Sequence, residues 1–492
     1  MDGTAAGPSV NGLEVSSERV EIEGVTVRGF GGHGILSWAD TVTLRRVNSE
    51  RNCGWGIFAE GHARLEGRSS APARLAENGH GTGCLGGGIF ASKSREGQSV
   101  RLVNVALTGN NGPGALVTGG LSGGWVTATG NAGAGIALET SAEAAIDQAI
   151  DLLYGENTLS NNAAYGVHAM AGHLRVSTPA AVTVENNGGW GLFVENGTVG
   201  LDHAYLRAAP QSIRGNGTSA ACPVWFVEDG RPAVQTRDCS GGGIFASGVG
   251  TTRGTNVLTQ VDVSDNHGPG VLLGGCLRAA HESSSSVVTK TTIADNAGRG
   301  ILARAPVQLR DFVAVSGNGG QGVAVIDDAG TVGGHDIAFS ATGPGNRIEN
   351  NLGDGLQLEV GRVELTGELS CSGNAGWGGH VRVGSFLATG AASVGGRAVQ
   401  DNGFGPTCRT WDLPADGAEL FTVTEAACAG GGLWLEAGNP TGVGLDLRGN
   451  NAEGALVDGN VSLTGGAACL NGGEEVSATG TVDLDGVDQA CL

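Results

Sequence analysis

The stretch Asn131-Ala-Gly-Ala-Gly-Ile-Ala-Leu138 contains the fold in eight residues. Asn and Gly accept positive φ more readily than other residues, so Asn-x-Gly-x-Gly reads as a tight corner. The Ile-Ala-Leu that follows alternates with period two, the pattern of a half-buried strand whose aliphatic residues point inward. The unit recurs at Asn52, Asn110, Asn187, Asn266, Asn296, Asn318, Asn351 and Asn374. Asn162 and Asn450 start copies with Ala for the first Gly, and Asn471 a weaker copy with Glu475 in the second Gly's place. Three copies put Cys84, Cys239 or Cys428 at the Asn position, and Gly32-His-Gly-Ile has Phe30 there.

A shorter strand precedes most corners, as in Val42-Thr-Leu44 and Val182-Thr-Val184. One such coil cannot bury its inner face alone, so it must stack on its neighbours, with strands pairing in parallel at about 4.8 Å. Stacked Asn side chains would then form a hydrogen-bonded ladder. The repeat also accounts for the composition, in which 91 of 492 residues are glycine and only 13 proline. Collagen needs glycine at every third position with abundant proline. A disordered chain would lack the 40% hydrophobic content. No apolar run approaches the roughly 18 residues of a membrane span. The net charge of −21 argues against a nucleic-acid partner, which needs clustered Lys and Arg.

The Asn-x-Gly-x-Gly-Ile copies and their spacing resemble the right-handed parallel β-helix repeat family, which includes pectate-lyase-like polysaccharide enzymes and many secreted bacterial surface proteins. The resemblance covers roughly residues 20 to 480. It implies an all-β, right-handed, single-stranded parallel β-helix of about 16–18 coils, here a single domain over residues 1–492. It says little about activity, because the scaffold hosts many unrelated functions.

A second level of repetition groups the coils. Gly-Trp-Gly occurs around Trp55, Trp190 and Trp377, each time followed by an Asn-Gly, a cysteine and a Gly-Gly-Gly coil. In the second and third blocks an arm intervenes, at 222–239 and 408–428. Ten cysteines without a Cys-x-x-Cys pair favour disulfides over zinc. The expected pairs are Cys53–Cys84, Cys222–Cys239, Cys408–Cys428 and Cys469–Cys491, with Cys276 and Cys371 free and buried. Disulfides imply an oxidising compartment. Met1-Asp-Gly-Thr lacks the charged and apolar regions of a secretion signal. The chain start also lacks the amphipathic cap a β-helix needs against end-to-end pairing, so an N-terminal piece is expected to be missing.

Aligning the coils places Phe58 with Phe90, Phe193 with Phe245, and His380 with Trp434 at the first outward position after the corner. These six are the candidate carbohydrate-binding residues; the competing reading is that an arm folds back and buries them. Two residues further come Glu60, Glu139, Glu195, Glu359, Arg382, Glu436 and Asp458, most of them isolated by several coils. Arg382, Glu436 and Asp458 form the candidate catalytic set for acid–base work on a uronic-acid sugar, weighed against an exposed charge ladder. No two histidines sit at metal-ligand spacing, and no metal or cofactor is expected. Asn351-Leu-Gly-Asp354 reads as an ordinary corner. The sequence thus predicts an extracellular or cell-surface structural or adhesive protein, non-catalytic, with a polysaccharide or surface glycan as partner. The alternative is a lyase, epimerase or hydrolase acting on an acidic polysaccharide.

Overall fold

A computed structural model describes residues 1–92, 99–139, 149–177, 179–202, 211–228, 230–239, 241–247, 256–274, 277–280, 291–326, 337–389, 397–405, 408–412, 422–426 and 430–490. They form a parallel β-helix, with no helix among the described residues. The coils divide into two compact units, Met1–Thr252 and Arg253–Leu492.

In the first unit the post-corner strands Ile57–Ala59, Ile89–Ala91, Ala115–Val117, Ile136–Leu138, Val167–Ala169, Leu192–Val194 and Ile244–Ala246 pair in parallel, each with the next. In the second unit the same stacking joins Val271–Leu273, Ile301–Ala303, Val323–Val325 and Leu356–Leu365, then Gly379–Ala388, Leu433–Leu435, Ala455–Val457 and Val476–Ala478. Alternation puts Ile57, Ala59, Ile89, Ile136 and Leu358 in the cores, where they are buried.

The expected ladder is present in both units. Asn131 Nδ2 donates to Asn162 Oδ1 at 2.9 Å and to the Leu107 carbonyl at 2.9 Å, while Asn131 Oδ1 accepts the Asn110 side-chain and backbone N–H groups at 2.9 and 3.2 Å. Every amide atom is thereby paired inside the coil stack, the condition for burying it without penalty. The first ladder runs from Asn52 through Asn78, Asn110, Asn131, Asn162 and Asn187 to Asn216. The second runs from Asn266 through Asn296, Asn318, Asn351, Asn374, Asn402 and Asn450 to Asn471. Phe30 does take the Asn place in its coil: its backbone N–H donates to Asn52 Oδ1 at 3.0 Å.

Two details differ from the expectation. Cys84 and Cys239 are not ladder residues; Asn78 and Asn216 hold those rungs, and Asn402 holds the third. The insertions therefore enter the corner itself, between the Asn-Gly and the Gly-Gly-Gly. The positive φ also falls elsewhere, one residue before the ladder Asn, at Arg51, Glu77, Asn161, Asn186, Asp265 and Asn350. The final corner glycine is needed for space instead: a Cβ on Gly56 would lie 2.7 Å from the Gly88 carbonyl and 2.8 Å from Asn78 Nδ2. Glu475 replaces that glycine at Asn471, and its carboxylate accepts the Asn471 amide at the point where the next rung would sit.

Two disulfides match the expected pairs, Cys53–Cys84 and Cys222–Cys239. Cys469 is disulfide-bonded, and its expected partner Cys491 lies outside the described residues, as do Cys276 and the Cys408–Cys428 pairing. Cys371 is free and buried, and burial pushes its thiol up to about 12.

Candidate functional site

The first arm is a hairpin of Ala221–Glu228 and Arg231–Asp238, closed at its base by Cys222–Cys239. It lies back along the coils. Trp225, buried, meets Trp55 edge to face at 5.8 Å, and its ring also touches the backbone at Gly112 and Gly133. The second arm is a hairpin too, Cys408–Asp412 against Thr422–Ala426.

Register confirms the outward row: Phe58 stands beside Phe90, Phe193 beside Phe245, and His380 beside Trp434. Phe193 stacks on Phe245 and His380 on Trp434, face to face, whereas Phe58 and Phe90 meet at a tilt of 49°. Centroids are 4.7 Å apart in the first two pairs and 4.2 Å in the third, where the planes are 7° apart. Phe90 and Phe193 are buried, whereas Phe58, Phe245, His380 and Trp434 are half-exposed. The three Gly-Trp-Gly tryptophans belong to the same assembly. Each lies 5.6 Å from the aromatic of the following coil, Trp55 from Phe90, Trp190 from Phe245 and Trp377 from Trp434.

Two clusters of titratable groups flank the row. In the first unit His168 is buried beside the stacked rings of Tyr165 and Phe193, and its Nε2 lies 2.8 Å from Glu195 Oε1. Arg237 of the hairpin reaches the same carboxylate at 3.9 Å. Burial pushes the Glu139 carboxyl up to about 6, and Glu195 adds to the rise; His168, the Val227 N–H of the hairpin and Arg237 oppose it. Glu139 and Glu195, which the sequence left isolated, are thus coupled through the coil between them.

In the second unit the expected charge run is in register. Arg382 sits 2.9 Å from Glu359 and 3.8 Å from Glu436, and Asp458 accepts the Thr479 hydroxyl at 2.7 Å. His380 joins this run diagonally, with Nε2 at 2.9 Å from Glu436 Oε1 and Nδ1 at 3.4 Å from Asp354 Oδ2. Burial disfavours the imidazolium, but Asp354 and Glu436 outweigh it and hold the His380 pKa above its usual value. Asp354 was missed as a site residue. It occupies the fourth corner position and accepts the Trp377 N–H at 2.7 Å, as His33 Nδ1 accepts the Trp55 N–H at 3.0 Å. The readable signal was that His33 and Asp354 place a polar side chain at this position one coil ahead of Trp55 and Trp377.

Chemically, both ring nitrogens of His380 face carboxylates, and Glu436 and Asp458 each hold a neighbour. The arrangement is a closed electrostatic clamp on a stacked aromatic. Among the described residues, no group of three or more His, Cys, Asp and Glu is placed to hold a metal ion. Fold and site define a disulfide-tied parallel β-helix with His–carboxylate clamps on its outward aromatic row. The chain matches no family model, no curated protein and no solved structure.

Proposed function

We propose that the chain is a non-catalytic scaffold of the extracellular space or cell surface, adhesive in role, with glycans as its partners. One observation carries the non-catalytic reading. Each member of the best candidate catalytic set already has a partner: Arg382 has Glu359 and Glu436, Glu436 has His380, and Asp458 has Thr479. Partnered in this way, the run has the form of an exposed charge ladder, the kind of surface ion pairing that is common and mostly structural. The Cys53–Cys84 and Cys222–Cys239 bridges support an oxidising compartment. Glycan contact along the aromatic row is confined in this reading to the half-exposed Phe58, Phe245, His380 and Trp434.

The second reading, a polysaccharide-processing enzyme of the pectate-lyase-like kind, draws support from Glu139. A carboxyl raised to about 6 beside a histidine and a second carboxylate is the sort of perturbed group that clusters in active sites. A screen of acidic polysaccharides for lyase, epimerase or hydrolase products separates the two. Absence of turnover supports the scaffold. Turnover abolished by Glu436→Ala or Glu139→Gln overturns it.

A further inference from the structure

Away from the row, at the next corner of the coils, the first unit exposes an aromatic ledge. The strand Gly120–Thr129 turns at Trp125, which has φ 54° and is 47% exposed. The neighbouring coil makes the same turn in register with Asn104 at φ 53°. Asn tolerates that conformation, whereas a bulky residue there is uncommon. The corner therefore does not require an indole.

The ring is nevertheless seated with care. A Cβ on Gly155 would lie 2.4 Å from Trp125 Nε1 and Cε2, and a Cβ on Gly124 would lie 2.2 Å from the Tyr154 ring. Two glycines in adjacent coils thus make room for two aromatics, whose centroids are 4.9 Å apart. Buried Asn157 fixes the pair from below: its Oδ1 accepts the Val126 N–H at 3.1 Å, and its Nδ2 donates to the Tyr154, Gly155 and Ala181 carbonyls. Arg101 reaches Tyr154 Oη at 3.5 Å across Ser122 and Gly124. In a chain of charge −21 this arginine has no carboxylate within ion-pair distance among the described residues. The indole N–H of Trp125 likewise has no hydrogen-bond partner among them.

We infer that Trp125, Tyr154 and Arg101 form a binding site for an anionic pyranose unit of a polysaccharide. The apolar C–H face of the sugar packs on the outer face of Trp125, a rigid surface that loses little conformational freedom on binding. Its carboxylate or sulfate takes the open guanidinium of Arg101, whose fork geometry suits both oxyanions. The second unit supplies an internal control. Phe312, at φ 55°, lies over Gly345, and the Val313 N–H donates to Asn346 Oδ1 at 3.3 Å, but that ring is only half-exposed.

The site is independent of the aromatic row, and calorimetric titration of the full chain tests it with a heparin fragment and an alginate fragment as probes. Trp125→Asn keeps the corner in the manner of Asn104, so the unfolding midpoint should stay close to that of the parent while affinity falls about tenfold or more. Arg101→Gln should weaken binding and flatten its salt dependence, and Phe312→Asn should leave binding unchanged. Binding of heparin alone identifies sulfate as the anion, of alginate alone the carboxylate, and either result supports the site. Failure of both probes to bind overturns it. So does binding that survives Trp125→Asn, or that is lost in Trp434→Ala instead; the latter would move the glycan to the row without touching the scaffold reading.

Discussion

Trp55 lies across the backbone of Gly87 in the following coil, so close that a Cβ on Gly87 would fall 2.6 Å from Trp55 Cζ3. Trp377 and Gly431 repeat the relationship at 2.6 Å. The middle residue of Gly-Gly-Gly is thus hemmed in from both sides, by the tryptophan of the coil before it and by a carbonyl of the coil after it, Pro113 or Glu453. Gly87→Ala should destabilise the protein by about 1–3 kcal/mol, because the Pro113 carbonyl, 2.3 Å from the same Cβ, cannot give way. Gly200→Ala, whose Cβ would meet nothing nearer than 3.9 Å, should be neutral within about 0.5 kcal/mol. Denaturant unfolding of the two variants checks the contrast.

The ladder makes a second prediction. Asn131→Ala removes the acceptor of the Asn110 amide and the donor to the Leu107 carbonyl, both buried. Each orphaned group costs about 1–3 kcal/mol, so the loss should be at least about 2 kcal/mol. Hydrogen exchange should show the loss of protection centred on the coils either side of residue 131.

His380 makes stability depend on pH. Its folded-state pKa lies above the ordinary histidine value. The clamp therefore contributes fully below the unfolded-state pKa and fades as pH rises through the folded one. The unfolding midpoint should fall on going from about pH 6 to pH 8. His380→Gln should flatten this part of the profile in a pH series of thermal scans.

Glu139 acts in the same direction at lower pH. A carboxyl raised to about 6 stabilises the fold below its unfolded pKa, and that contribution is lost as pH rises through about 6. Glu139→Gln keeps an acceptor for the Val227 N–H and should remove the decline between pH 4.5 and 6. If the decline persists in the variant, another group is responsible.

The Cys222–Cys239 bridge closes a loop of separation 17, for which chain entropy predicts about 3 kcal/mol. Reduction or Cys239→Ser should free the hairpin, exposing Trp225 and shifting its fluorescence to longer wavelength. Limited proteolysis should then cut the arm while leaving the coils intact.

Much of this molecule is legible in its sequence, because a coil repeats its own instructions. The corner unit, the pairing of Phe58 with Phe90 and of His380 with Trp434, and two of the bridges follow from spacing alone. The missed features depend on relations that spacing does not encode. Cys84 and Cys239 mimic the Asn position because the insertions interrupt the corner, and the Asn-Gly pairs at Asn78 and Asn216 were the true marks of the rungs. The contacts of His380 with Asp354 and Glu436 are diagonal, joining different positions on successive coils, so aligning like with like overlooks them. Stacking of ring on ring also escapes a linear reading, which counts aromatics as outward without asking what covers their faces.

The ladder has a direction. Each side-chain N–H donates to the rung that follows, so the series is a polar chain with a donor left over at its last member. Glu475 takes up that donor on Asn471 and fills the volume that glycine keeps open elsewhere. A further amide rung stacked on Asn471 would have to displace that carboxylate before the series could continue.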